Sequence, residues 1–152
     1  MLVHPDFLQS SADRGRKDTK WVLDWGYPLT SLAAGMVALT RIRASGAESF
    51  VVSSKTDPFA EVGVLEMPEG AALVLQPRNL VGVVQRVGQP IRITRHWRFG
   101  LGAWITFQFR YLVFEGPGRL IVQGCRGVRI EAAARGRSID QGATIGFSAN
   151  LD

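Results

Sequence analysis

The stretch FEGPGRLIVQGCRG, residues 114–127, is central to the fold prediction. Its apolar run lies between two groups of glycines, and Gly116, Pro117 and Gly118 stand together before that run. Pro117 has a φ that suits the second position of a turn, and Gly118 can adopt the positive φ of a type II turn. A phosphate-binding loop would lead from its glycines into a helix, whereas this segment leads into a strand-like run. The stretch therefore predicts a structural turn at the corner of a sheet, with a positive φ at Gly118.

Alternating apolar and polar residues surround this corner. In AWITFQFRYLVFE (103–115), the apolar positions that fall on one face are Ile105, Phe107, Phe109, Tyr111 and Val113. This period of two is typical of a half-buried strand. The same interpretation applies to ESFVVSS, AALVLQ, NLVGVVQR, PIRITRHWR, GRLIVQG and GVRIEAA, the last with Val128 and Ile130 facing inward. No long helical stripe is present, so the sequence predicts an all-β domain of short antiparallel strands.

The length and composition indicate one soluble domain. A chain of 152 residues is enough for a single hydrophobic core. We expect a flexible N-terminal segment over residues 1–19 and a single β domain over residues 20–152. The single cysteine, Cys125, favours a reducing compartment, and no apolar run is long enough to cross a bilayer. These features predict a cytoplasmic protein without a membrane span.

The positive charge is concentrated in the second half of the chain. Residues 1–77 contain seven Lys and Arg against nine acidic residues, whereas residues 78–152 contain eleven Arg against four. Arginine suits the recognition of phosphate and carboxylate groups. An ordinary solvated surface explains the same charges without any ligand.

The sequence contains little of the chemistry that catalysis requires. His4 and His96 are the only histidines, so a metal site with two histidine ligands is not expected. His96 is the candidate base for Cys125, but the sequence gives no geometry for this pair and cysteine is commonly a buried residue. The segment around Ser148 lacks the glycines of a nucleophile elbow. We therefore expect a non-enzymatic protein with no catalytic residue, no metal and no cofactor, and we interpret Cys125 as structural or incidental.

The segment RITRHWRFGLGAW, residues 92–104, is the strongest candidate for a binding surface. It combines cations with flat rings, as nucleic-acid or protein interfaces often do. The candidate residues are Arg92, Arg95, Trp97, Arg98 and Phe99. Strand alternation divides them, since it puts Arg95 and Trp97 on one face and Arg98 on the other. A shared patch and an ordinary strand with a loop both fit the sequence.

Three stretches of the chain resemble a known family. They are LEMPEGAALVLQPRNLVGV (65–83), WITFQFRYLVFEGPGRLIVQGCRGVRIEAA (104–133) and GRSIDQGATIGFSANLD (136–152). Their glycine corners and the strands that follow resemble the family named for altered inheritance of mitochondria, specifically its twenty-fourth member, and bacterial relatives of that family. The resemblance covers about residues 65 to 152, and the family's domain usually continues beyond the point where this chain ends.

The resemblance implies a fold like that of the tryptophan RNA-binding attenuation protein superfamily. That fold is a double-stranded β-helix or barrel-like sandwich, and the relatives assemble as homo-oligomers. The resemblance implies no catalytic residues. From it and from the residues, we expect a β-scaffold module that acts by self-association or by docking a protein partner. The alternative is an RNA- or DNA-binding oligomer that uses the Arg-rich second half.

Overall fold

The computed structural model describes most of the chain, and all structural statements below refer to that part. The described residues are 1–11, 16–23, 25–26, 28–33, 36–43, 50–55, 57–86, 88–97, 110–132 and 143–149. The expected inward-facing residues Ile105, Phe107 and Phe109 lie outside these ranges.

The described residues form short β-strands with little helix. One helix, α1, covers Pro28–Ala33, and 3₁₀ turns cover Pro5–Phe7 and Pro77–Asn79. The strands are β1 (Leu2–Val3), β2 (Leu8–Ser11), β3 (Arg16–Val22), β4 (Val37–Arg43), β5 (Phe50–Val52), β6 (Ala60–Met67), β7 (Ala72–Leu75), β8 (Leu80–Val84), β9 (Arg92–Trp97), β10 (Arg110–Glu115), β11 (Gly118–Cys125) and β12 (Gly146–Ser148). The predicted all-β class is confirmed.

The strands form three antiparallel sheets. The largest has six strands in the order β3-β4-β1-β8-β11-β6. A second sheet has four strands in the order β12-β7-β10-β9, and β2 pairs with β5 in a two-stranded ribbon. Within the six-stranded sheet every described pairing is antiparallel. Because six is an even number, the border strands β3 and β6 run in opposite directions.

The chain passes between the six-stranded and the four-stranded sheet at four connections within the described residues. β6 leads into β7, β7 into β8, β8 into β9, and β10 into β11. The β7–β8 connection contains the 3₁₀ turn Pro77–Asn79. The other three are glycine corners, each with one glycine of positive φ, namely Gly70, Gly88 and Gly116 in chain order. The first and third corners lie side by side, because Met67 is paired with Gly118 and the N–H of Gly116 donates to the carbonyl of Ala71 at 3.2 Å. The segment before β11 is therefore a crossing between two sheets rather than a reversal within one.

A continuous apolar core lies between the two larger sheets. The six-stranded sheet contributes Leu39, Leu120 and Val122, and the four-stranded sheet contributes Leu75 and Phe114. The side chains of Leu39, Phe114, Leu120 and Val122 have no solvent-exposed surface. Burial of apolar surface of this kind is the main favourable contribution to folding.

The opposite face of the six-stranded sheet has its own apolar cluster. Val3, Ile42, Val81 and Ile121 are buried there, and partly buried side chains of the β2–β5 ribbon pack against them. Both faces of the central strands are therefore covered. This explains why Leu80, Val81, Gly82 and Val83 are all buried although they are consecutive.

The described residues of the predicted N-terminal segment, 1–11 and 16–19, are not separate from the β domain, so that part of the prediction is corrected. β1 lies between β4 and β8 in the interior of the six-stranded sheet, where Val3 is fully buried. The N–H of His4 also donates to the carbonyl of Val81 at 2.9 Å. The physical reason is that Leu2 packs into the core between the two larger sheets, while Val3 packs into the apolar cluster on the opposite face of the six-stranded sheet. The described part of this segment therefore belongs to the β domain.

Two further strand predictions are corrected. Residues 127–132 are not in a strand, and Ile130 is 78% exposed rather than inward-facing. The positive φ angles of Arg126 and Gly127 turn the chain away from the sheet after β11. In β10, Leu112, Val113 and Phe114 are all buried, so this part of the strand is covered on both faces rather than half-buried.

Candidate interaction surfaces

The described part of the predicted binding segment, residues 92–97, forms β9, which lies at the border of the four-stranded sheet among the described strands. Arg92 is exposed, and its backbone is paired with Glu115. The backbones of Arg95 and Trp97 are paired with Leu112 and Arg110. The described part of the structure includes neither the side chains of Arg95 and Trp97 nor any part of Arg98 and Phe99. The structure thus places three of the five residues on one border strand, and the shared patch stays a prediction.

Of the predicted turn residues, Gly116 and Pro117 lie in the bend between β10 and β11, whereas Gly118 is the first residue of β11. Gly116 has a φ of 103°, whereas Gly118 does not have a positive φ. A Cβ atom on Gly118 would lie 2.5 Å from Cδ1 of Ile91 and 2.9 Å from the carbonyl oxygen of Val84. Gly118 is therefore required for close packing of the corner against the start of β9. The conformational freedom that the turn needs is supplied by Gly116.

A charge cluster on β3 and β4 was not anticipated from the sequence. Nε of Arg41 donates to Oδ1 and Oδ2 of Asp18 at 2.8 and 3.0 Å, and Nη2 of Arg41 also donates to Oδ2. Asp18 and Arg41 are directly opposite in the register of the two strands. Fork-like pairing of this kind holds both side chains in one geometry. The sequence signal is limited to alternating charges in two segments, and only the register brings those charges together.

Two more arginines surround the same carboxylate. Arg16 and Arg43 are direct cross-strand partners, and both side chains are exposed. The hydrogen bond from Arg41 is the main cause of the lowered pKa of Asp18, and the positive charges of Arg41, Arg43 and Arg16 contribute further. Partial burial acts in the opposite direction on this pKa, but more weakly than the hydrogen bond. The cluster therefore has an excess of positive charge on the border strand of the sheet.

The other border of the six-stranded sheet has the opposite charge. On β6 the charged residues are Glu61 and Glu66, and both are exposed. Glu66 pairs with Arg119 of the neighbouring strand at 2.9 Å. On β3 the charged residues are three cations and one carboxylate, namely Arg16, Lys17, Lys20 and Asp18. The same sheet thus has a basic border, the β3 edge (Arg16–Val22), and an acidic border, the β6 edge (Ala60–Met67).

Both edges also expose apolar side chains. Trp21 on the β3 edge is 69% exposed, and Val64 in the middle of the β6 edge is 54% exposed. Among the described strands, none pairs with the outer side of either edge. Unpaired N–H and C=O groups together with apolar side chains form a surface that can pair with another strand.

Groups that could support catalysis or metal binding are dispersed in the described residues. No group of three or more His, Cys, Asp or Glu side chains within this part is arranged to hold a metal ion. His4 accepts a hydrogen bond from the N–H of Asp6, and Cys125 is exposed at the end of β11. Within the described ranges, no helix has the length and apolar character needed to span a membrane.

The comparisons with known proteins give no relative for this chain. No family model matches it, and neither a curated protein nor a solved structure is significantly similar to it. The conclusions on function below therefore depend on the residues and geometry of this chain alone.

Proposed function

We propose that this chain is a non-enzymatic β-scaffold module that acts by self-association, in which the β3 edge of one copy pairs with the β6 edge of the next. The observation that carries the proposal is the opposite charge of the two borders of one sheet. Lys17 on the basic edge and Glu61 on the acidic edge are both exposed. Docking of another protein at the same edges is a second form of the proposal, and the self-complementary charges favour a second copy.

Strand direction supports this pairing. β3 and β6 run in opposite directions within one sheet, so a second copy that continues the sheet places its β3 antiparallel to β6 of the first copy. The edges are also similar in length, with seven residues in β3 and eight in β6. A contact between two different edges of identical subunits is heterologous, and it produces a ring when the rotation closes.

Pairing between identical edges is less favourable. Two β6 edges would bring Glu61 and Glu66 of one copy close to those of the other, and two β3 edges would bring cations together. Like charges directly opposite in a sheet destabilise it. Charge therefore selects the β3-to-β6 arrangement over a two-fold dimer formed through either edge.

The path of the chain supports a finer proposal about the fold. Repeated crossings between two sheets, four within the described residues and three of them at glycine corners, are expected of a double-stranded β-helix or barrel-like sandwich. We propose this architecture and a distant relationship to the family that the glycine corners resemble. We also propose a cytoplasmic setting, which the single Cys125 supports because free thiols persist in reducing compartments.

Light scattering over a range of micromolar concentrations tests self-association. We expect a stable multiple of 16.7 kDa. A mass that stays at 16.7 kDa as concentration rises would disprove self-association at these concentrations.

Charge reversal then tests which edges are used. Glu61→Lys combined with Glu66→Lys gives the β6 edge a positive charge like that of the β3 edge and should dissociate the oligomer. Adding Arg16→Glu and Lys17→Glu gives the β3 edge a negative charge, which restores opposite charges and should restore the assembly. Circular dichroism on each variant checks that the fold is intact. An oligomer that survives Glu61→Lys with Glu66→Lys unchanged would show that a different surface carries the association.

Nucleic-acid binding is the second candidate function. The observation that favours it is that every arginine of residues 78–152 with a described side chain is exposed, namely Arg78, Arg86, Arg92, Arg119, Arg126 and Arg129. Filter binding of single-stranded RNA and double-stranded DNA at two ionic strengths tests it. Affinity should fall steeply with salt because arginine–phosphate contacts release counterions. Negligible binding at both ionic strengths would exclude this function.

A further inference from the structure

A cleft opens where the two larger sheets meet the corner between β8 and β9. Its volume is about 190 Å³. The lining comes from β1, β3, β8 and β9 and from the segments next to them, so both sheets contribute. The lining residues are Leu2, Lys20, Leu23, Val83, Gln85, Pro90, Ile91 and Ile93.

Six of the eight lining residues have apolar side chains, and four of these belong to the core. Leu2, Leu23, Val83 and Ile91 are buried members of the main hydrophobic core. Each is less than 8% exposed, so the wall is held in place by packing on its far side. An enclosed apolar cavity of about 150 Å³ can bind benzene. The cleft therefore has room for an apolar group of about the size of one aromatic ring.

Two of the lining residues have polar side chains, Lys20 and Gln85. Nζ of Lys20 donates to the carbonyl oxygen of Leu23 at 2.6 Å, which holds the ammonium group beside the cleft. Oε1 of Gln85 accepts from the N–H of Ile91 at 3.2 Å, and this bond fixes the orientation of the amide. The other end of that amide is an NH₂ group, which is a donor only, and an ammonium group is also a donor only.

The apolar lining side chains and the donor groups of Lys20 and Gln85 determine which ligand the cleft can bind. Apolar walls favour a ligand with an apolar body. Donor groups and a positive charge at the polar end favour an acceptor with negative charge, and a carboxylate meets both conditions. A phosphate would also accept these bonds, but its higher charge and hydration fit poorly beside the apolar walls.

We propose that this cleft binds a small monocarboxylate with an apolar body of about one ring, its carboxylate bonded by Lys20 and Gln85. Of the lining residues only Lys20 belongs to the β3 edge, and none belongs to the β6 edge, so the site overlaps the proposed self-association at that one residue. Binding would connect β3 with the β8–β9 corner and so join the two sheets at that point.

Benzoate is the probe that tests the proposal, and benzyl alcohol is the neutral control of similar shape. Isothermal titration and amide chemical shifts are measured on the full chain. We expect benzoate to bind and to move the amide signals of Leu23, Ile91 and Ile93. Benzyl alcohol should bind about tenfold more weakly or worse, since a hydrogen bond to a charged group is worth more than a neutral one.

Substitutions of Lys20 identify the group that holds the carboxylate. Lys20→Gln should lower the affinity for benzoate about tenfold, and Lys20→Arg should retain part of it because the charge is kept. Lys55→Gln is the matched control, since Lys55 is exposed and bonds to the carbonyl of Pro5 away from the cleft. Chemical shifts outside the cleft show whether each variant is folded.

Three outcomes would overturn the proposal. The first is no binding of benzoate at millimolar concentration. The second is equal affinity for benzoate and benzyl alcohol, which would show that the charge is not recognised. The third is an equal loss of affinity in Lys20→Gln and Lys55→Gln, which would indicate a general effect of net charge.

Discussion

The centre and the borders of the six-stranded sheet differ in what their side chains contact. In the central strand β8, Leu80, Val81 and Val83 are buried because one face meets the four-stranded sheet and the other meets the β2–β5 ribbon. In the border strand β3, Trp21 is 69% exposed and the remaining residues are exposed or half-buried. The comparison teaches that stability is concentrated in the centre, whereas the borders hold the groups that can recognise a partner.

The four-stranded sheet has the same contrast, with β10 inside it and β12 at its border, and the largest effect that we expect is at its inner strand. Phe114→Ala removes a fully buried ring from between the sheets and should lower the free energy of unfolding by about 3–5 kcal/mol. Phe147 on β12 is the matched control, because it is 56% exposed. Phe147→Ala should cost less than about 1 kcal/mol. Urea denaturation measures both variants, and equal losses would contradict the contrast between centre and border.

A smaller effect is expected at the corner before β11. Gly118→Ala places a methyl group against Cδ1 of Ile91 and should cost about 1–3 kcal/mol by overpacking. Ile91→Val removes that Cδ1 atom, so the double variant should be more stable than the sum of the single changes predicts.

Gly116→Ala is the control for the corner. Its loss should be on the order of 1 kcal/mol because of the positive φ, and it should add to the effect of Ile91→Val. The free energies of unfolding of all five variants are measured by urea titration. Simple additivity for Gly118→Ala with Ile91→Val would rule out Cδ1 of Ile91 as the source of the loss and leave the carbonyl oxygen of Val84, which Ile91→Val does not move.

The border charge cluster should give a smaller, pH-dependent effect. Arg41 lowers the pKa of Asp18 by its hydrogen bond, so the folded state favours the charged carboxylate. This contribution to stability is complete above the ordinary carboxyl pKa of about 3.9 and is lost as pH falls through the lowered folded-state value.

Asp18→Asn tests this contribution. The variant should unfold at a lower urea concentration than the parent chain at pH 7, and the two should converge as the pH falls below about 4. Arg41→Gln should give the same convergence, since it removes the partner of the same carboxylate. A difference in urea midpoint that persists unchanged at acid pH would contradict this explanation.

The smallest effect is expected at Cys125. Its side chain is exposed at the end of β11, so Cys125→Ser should change the free energy of unfolding by no more than about 0.5 kcal/mol. Self-association and benzoate binding should also stay the same. A folded Cys125→Ser variant that lost either property would give this thiol a functional role.

The sequence predicted local features of the fold more successfully than long-range ones. The segments AALVLQ, NLVGVVQR and GRLIVQG contain β7, β8 and β11, because alternation and β-branched residues report on strand formation directly. β1 was missed because two apolar residues are too short for any periodic signal. The positive φ was assigned to Gly118 instead of Gly116, since either glycine can form a turn and only packing against Ile91 distinguishes them.

The candidate surfaces were less predictable because they depend on strand order. Asp18 and Arg41 are separated in sequence, and their contact requires the β3–β4 register. The contrast between basic and acidic edges also requires knowing that β3 and β6 are the borders of one sheet. The cleft joins Lys20 to Gln85 across two elements, so composition and spacing give no signal for it.

The strand order also has a consequence for how the chain reaches its folded state. Among the described pairings of the two larger sheets, only β3 with β4 and β9 with β10 join strands that are neighbours in sequence. Ala60 of β6 is paired with Cys125 of β11, and β1 is paired with β8. Pairing between distant segments slows folding, because loop closure costs entropy before the contacts form. During synthesis, β6 therefore cannot pair with β11 until β11 has left the ribosome. Until then the unpaired β6 strand of the nascent chain is open to aggregation.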